Sequence, residues 1–300
     1  MLKNVQNIEQ RAILTYHYYG DIMKLVKACC DLGVHVNGSN LAPDELLEER
    51  KIDSIKVEKK NVKKELEKDN KHKNLESVND FNERLYNEIT KIEDKVLTIG
   101  GDHSIAIASA LASKKKHGNI GIIWIDAHAD FHTMETTISG NIHGVPFATV
   151  CGQNGNVLSF FFDKEYFNPK NAVLVGGRDI EDAEYVNLDK AGVTVFTTED
   201  IKKYGPVDIM KKAFEIALNN TDGIHISYDV DVIDPNIAPG VSVKAKDGIN
   251  EKEAYEIADF LVKEKESIKS IDLVEFNPLE DKNNVTHEIT ENVLDRLLTL

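Results

Sequence analysis

The chain lacks what a membrane, secreted or nucleic-acid-binding protein would need. No apolar run approaches the roughly 20 residues of a bilayer span, and the N-terminus has no signal-peptide pattern. Cysteine is scarce: Cys29, Cys30 and Cys151 are an odd set, and the adjacent pair is poorly placed to bridge itself. Three reduced thiols in a cytoplasmic protein is the simplest reading. Without a Cys-x-x-Cys pair, the chain also offers no zinc–thiolate motif. Positive charge is short as well: 36 Lys and Arg face 51 Asp and Glu, a net charge of −15 that argues against binding nucleic acid or anionic membrane. Keeping the protein soluble is the plainer role for that excess. The seven prolines form no linker and no segment repeats, so one domain over residues 1–300 is expected.

Acid is abundant, and five carboxylates fall with two histidines on three short segments: Gly100-Gly101-Asp102-His103-Ser104, Asp126-Ala127-His128-Ala129-Asp130 and Ser227-Tyr228-Asp229-Val230-Asp231. The second closes the apolar run Ile120–Ile125, which has the pattern of a buried parallel strand. If the backbone stays extended beyond it, residues 126, 128 and 130 point to one side. Asp229 and Asp231 repeat the alternation after Gly223-Ile224-His225-Ile226. The glycine pair alone could serve a turn, and Ser104 could cap a helix. In combination, His103, Asp126, His128, Asp130, Asp229 and Asp231 offer six ligands. An imidazole and carboxylate set without thiolate suits manganese, with cobalt, nickel or iron as substitutes. Two such ions about 3.5–4 Å apart would lower the pKa of a shared water toward ~7. Asp126 and Asp229 are the natural bridges, since each begins a ligand pair.

From residue 95 onward, strand-like and helix-like stretches alternate. Strands are predicted at Lys95–Gly100, Ile120–Asp126, Ala172–Gly177, Val193–Phe196, Gly223–Asp229 and Ser270–Phe276. Helices are predicted at Ile105–Lys116, Ile201–Asn219, Glu251–Glu266 and Thr286–Leu298, with an amphipathic one at Asn79–Ile92. The pattern predicts an α/β fold, a mostly parallel central sheet between two helical layers. Ligand sites then lie beyond the carboxyl ends of the strands, where all three acidic segments fall. The lysine- and glutamate-rich Glu49–Lys73 predicts a solvated helix or surface excursion.

These segments, with Ser139-Gly140-Asn141-Ile142-His143-Gly144 and Val274-Glu275-Phe276-Asn277-Pro278, resemble the ureohydrolase family over roughly residues 95–300, and its arginase branch most closely. Residues 1–94 are atypical for that family. The resemblance implies an arginase-like three-layer α/β/α sandwich, two Mn²⁺ ions per subunit, a small guanidino substrate and a homotrimer or homohexamer. His103, Asp126, Asp130 and Asp229 would hold one ion, and Asp126, His128, Asp229 and Asp231 the other. A metal-bridging hydroxide would convert L-arginine to L-ornithine and urea. Glu275 would pair with the guanidinium, Asp130 would pass a proton to the leaving nitrogen, and His143 would shuttle protons to solvent. His132, Thr137, Ser139, Asn141 and Glu181 would bind the amino-acid end. His132 stands where asparagine is usual and Glu181 where aspartate is, while Ser242-Val243-Lys244 replaces a common Gly-Thr-Pro and is similar to the formimidoylglutamase branch. An agmatinase, guanidinobutyrase, guanidine hydrolase or formimidoylglutamase is therefore the alternative activity. A non-catalytic family member is the rival of another class, against which the complete ligand set argues.

Overall fold

A computed structural model describes residues 23–48, 50, 52–60, 72–154 and 165–300. Among them, eight strands form one sheet: β1 Lys24–Cys29, β2 Ser54–Glu58, β3 Val96–Gly100, β4 Gly121–Ile125, β5 Ala172–Gly177, β6 Thr194–Thr197, β7 Ile224–Asp229 and β8 Ile268–Val274. Their order is β2-β1-β3-β8-β7-β4-β5-β6, and every pairing is parallel. The connecting helices are α1 Ala42–Leu47, α2 Leu75–Ile89, α3 Ala106–His117, α4 Pro146–Val150, α5 Asp182–Ala191, α6 Thr198–Tyr204, α7 Pro206–Ala217, α8 Glu251–Lys263 and α9 Val285–Leu297.

Two apolar cores follow from the two-residue alternation of strand side chains. Ile123 and Ile125 of β4 join a core with α7, α8 and α9, whereas Ile122 and Trp124 join another with α2, α3 and α4. Because helices cover both faces, β3, β4, β5 and β7 are buried along their whole length. The three-layer α/β/α arrangement is the expected one. Consecutive strands β3 and β4 are separated in the sheet by β8 and β7. The carboxyl ends of these four neighbours therefore open onto one crevice where the strand order reverses.

Two expectations need correction, and one helix was missed. Within the charged stretch 49–73, expected as a solvated helix or surface excursion, residues 54–58 form β2; its residues 49, 51 and 61–71 lie outside the described ones. Lys56 and Glu58 are exposed while Val57 is buried, a period of two that high charge disguises and that suits a sheet edge. The single helix expected over Ile201–Asn219 is two, because Gly205 takes a φ of 86° to end α6 and Pro206 begins α7. Helix α5 was not foreseen; it buries only Glu184 and Leu188, too little to leave an apolar stripe. All three cysteines are free and buried. Among the described residues, no helix is long and apolar enough to cross a membrane.

Candidate metal centre

Each acidic segment is turned inward by its own hydrogen bonds. After β3, a Cβ on Gly101 would stand 1.7 Å from the Cys30 carbonyl oxygen, so only glycine permits this approach of β1. Asp102 then accepts the backbone N–H groups of Gly33 and Ser104, both at 2.9 Å, and starts a single 3-10 turn that carries His103. Asp102, not Ser104, is the cap. After β4, Asp126 accepts from the Trp124 indole at 3.0 Å and the His128 backbone at 2.6 Å. The chain does not remain extended to residue 130, because Asp130 adopts a left-handed φ of 49°. After β7, Asp229 accepts the Asp231 N–H at 2.7 Å and caps another 3-10 turn, Val230–Val232. Alternation therefore does not aim this pair; the capped turn does.

The outcome is convergence. His103 Nδ1 lies 3.0 Å from Asp126 Oδ2, 3.0 Å from Asp229 Oδ2 and 3.1 Å from Asp130 Oδ2. His128 Nδ1 lies 2.9 Å from Asp231 Oδ2 and 3.5 Å from Asp126 Oδ1. Two groups able to hold a metal ion result, His103–Asp126–Asp229 and Asp126–His128–Asp231, and Asp126 belongs to both.

A proton arrangement alone satisfies this cluster poorly. Ser227 Oγ donates to Asp272 Oδ1, so its oxygen is left to accept the His103 Nε2–H at 2.8 Å. That tautomer leaves Nδ1 as a lone pair facing three carboxylates. His103 Nδ1 and Asp130 Oδ2 are indeed buried without a hydrogen-bond partner. Four buried aspartates outnumber two histidines, so even two imidazolium ions would leave an uncompensated negative charge. Burial and the charge of Asp126 push Asp130 up to about 7. Burial and the charges of Asp231 and Asp126 raise Asp229 well above the carboxylate range. Arg178 makes no ion pair with them among the described residues; its guanidinium donates instead to the carbonyls of Asp231, Val232 and Ala245. Divalent cations between these donors remove the repulsion and fit the oxygen and imidazole set.

Beyond the cluster, Glu275 sits buried just past β8 with a φ of 67°. A left-handed glutamate is strained, by about 1–3 kcal/mol, and such strain concentrates at functional positions. Its Oε1 accepts the His103 N–H at 2.8 Å and lies 3.2 Å from His143 Nδ1; Oε2 has no partner among the described residues. Burial raises the Glu275 carboxyl, but the His143 contact outweighs it and holds the group below its ordinary range. Burial likewise lowers His143, and Glu275 outweighs it upward.

Two of the departures from the family pattern meet each other: His132 Nε2 is 3.3 Å from Glu181 Oε2. Thr137 and Ser139 hydroxyls accept the N–H groups of Gly140 and Asn141, each at 3.2 Å. Ser242 also bonds to Asn277, at 3.1 Å, so the loop after Gly240 keeps a hydroxyl close to the Glu275 segment. Sequence reasoning missed two sets of residues. His35 and Lys73, from the atypical N-terminal part, contact Asn141. Behind His103, Asp272 bonds His225 at 3.0 Å and Ser109 at 2.5 Å and so anchors Ser227. Polar His225, Ser227 and Asp272 inside otherwise apolar strands were the available signal for the second set. Such outer partners orient a ligating histidine.

Comparison with known proteins agrees with this geometry. The model of the Arginase family matches residues 22–299, and so includes the N-terminal strands. An arginase of Bacillus subtilis is 36% identical over 230 residues, 75% of this chain and 77% of that protein. The arginase of Bacillus caldovelox superposes with a TM-score of 0.85 at 28% identity, covering 94% of this chain and 99% of that one. The Entamoeba histolytica arginase solved with L-ornithine gives 0.83 at 25% identity, covering 93% and 99%. The chain belongs to the arginase family.

Proposed function

We propose that this protein hydrolyses L-arginine to L-ornithine and urea, using two manganese ions per subunit. As a member of its family it is an amidino hydrolase acting on small guanidino compounds. The observation that most supports a two-metal reading is Asp126, common to both ligand groups. Arginine is supported by the relatives at 36% identity, which are named arginases.

When bound, paired divalent ions supply the Lewis acidity that ionises water near neutral pH. The protein's own groups do the rest. Glu275 Oε2 receives the guanidinium in a charge-assisted contact, while Oε1 stays fixed by the His103 backbone. Asp130, at 3.1 Å from His103, carries a proton toward the leaving nitrogen. His143, hydrogen-bonded to Glu275, exchanges protons with solvent. At the mouth, Thr137, Ser139 and Asn141 offer hydroxyl and amide groups to the amino-acid end, and His132 with Glu181 faces its ammonium.

The His132–Glu181 contact and Val243 in place of the usual threonine favour a second reading, a sister ureohydrolase. A urea assay with added Mn²⁺ on L-arginine, agmatine, 4-guanidinobutyrate and guanidine, with formamide detection for formiminoglutamate, separates them. L-arginine is expected to give the highest kcat/KM. Faster turnover of any other compound would replace arginase by that sister activity.

A further inference from the structure

The amide of Asn141 is engaged at both ends by the N-terminal part of the chain. Its Nδ2 lies 3.2 Å from His35 Nδ1, and its Oδ1 accepts from Lys73 Nζ at 3.2 Å. Lys73 is exposed, yet its surroundings fix it. Its backbone N–H donates to the Gly140 carbonyl at 2.8 Å, the neighbouring His72 ring meets the Met134 carbonyl at 2.6 Å, and Asn74 donates to the Leu32 carbonyl at 2.8 Å. His72 and Lys73 are thereby fastened to the loop 134–141 that borders the centre, and Asn74 to the segment after β1. An ammonium has three donors, and only one is directed at Asn141. Among the described residues, Lys73 meets no carboxylate.

We propose that Lys73 is a specificity-determining residue, whose ammonium takes the carboxylate of the substrate's amino-acid end beside Asn141. The assignment rests on the arginine reading and adds to it a cation that the family motifs did not point to. The physical need is plain. With the four aspartates neutralised by bound divalent ions, the acids left facing the mouth are Glu275 and Glu181, which attract the substrate's cationic groups and repel its carboxylate. A cation on the rim offsets that repulsion for a carboxylate and disfavours a ligand that carries only positive charge. Glu181 caps the start of α5, with His132 of the loop after β4 beside it, and Lys73 lies just before α2. The mouth therefore presents acid from one element and ammonium from another, which matches a zwitterionic α-amino acid rather than a simple amine.

The test compares L-ornithine with putrescine, which share the chain-end amine and differ in the α-carboxylate. Binding of each to the manganese-loaded protein is measured by calorimetry for wild type, K73M and K73R. Because the pair is exposed to solvent, a modest effect is expected: K73M weakens L-ornithine about five- to tenfold more than putrescine. K73R should retain most of the discrimination, and added salt should shrink it in wild type. Equal loss for both ligands, or none for either, would overturn the assignment. A wild type that binds L-ornithine no better than putrescine would sink the arginine reading and the role of Lys73 together. Discrimination that survives in K73M sinks the role of Lys73 alone.

Discussion

Asp126→Asn should strip the protein of both metal ions and lower kcat by at least about 10,000-fold. Asp126 is the one residue common to both ligand groups, with Oδ2 toward His103 and Oδ1 toward His128. Water with a pKa near 16 is hardly ionised at neutral pH, whereas water on paired divalent ions titrates near ~7. Losing the ions therefore removes the nucleophile's ionisation, which no side chain here can replace. Two controls separate this from misfolding. The metal-free variant should melt no lower than metal-free wild type beyond the cost of one hydrogen bond, about 1–3 kcal/mol, because removing one of four clustered charges relieves repulsion. Asp231→Asn, which belongs only to the His128 group, should retain one ion by elemental analysis. Two ions retained in Asp126→Asn would show that the bridge has been misassigned.

Glu275→Gln should lower kcat/KM by roughly 100- to 1,000-fold while leaving metal content at two per subunit. The carboxylate is buried, and removing one partner of a desolvated charge pair costs about 2–5 kcal/mol. The pH profile gives an independent sign. Burial alone lowers the His143 pKa, and contact with the Glu275 charge is what raises it. Neutralising Glu275 lets burial prevail, so the limb of the rate profile due to His143 should move to lower pH. A kcat/KM within threefold of wild type, or a limb moved to higher pH, would remove Glu275 from the substrate and His143 from the proton path.

Much of this centre was legible in the chain because buried parallel strands announce themselves. Ile120–Ile125 and Gly223–Ile226 are apolar runs ended by acids, and parallel sheets place ligands where such runs end. The mode of convergence was less legible. Asp130 and Glu275 take left-handed φ values that a sequence pattern does not encode, and Asp231 is aimed by the Asp229 cap rather than by alternation. The N-terminal third was obscured for a different reason. Its edge strand β2 alternates Ile55 and Val57 with Lys56 and Glu58, so charge hides the period. Contacts of His35 and Lys73 with Asn141 join residues about 70 to 110 positions apart, and such long-range pairings leave no local mark in the sequence.

Anomalous diffraction at the manganese edge, from crystals grown with the ion, tests the centre most directly. Two peaks per chain are expected about 3.5–4 Å apart, one bounded by His103, Asp126 and Asp229 and the other by Asp126, His128 and Asp231. A single peak, or two that do not share Asp126, would contradict the account.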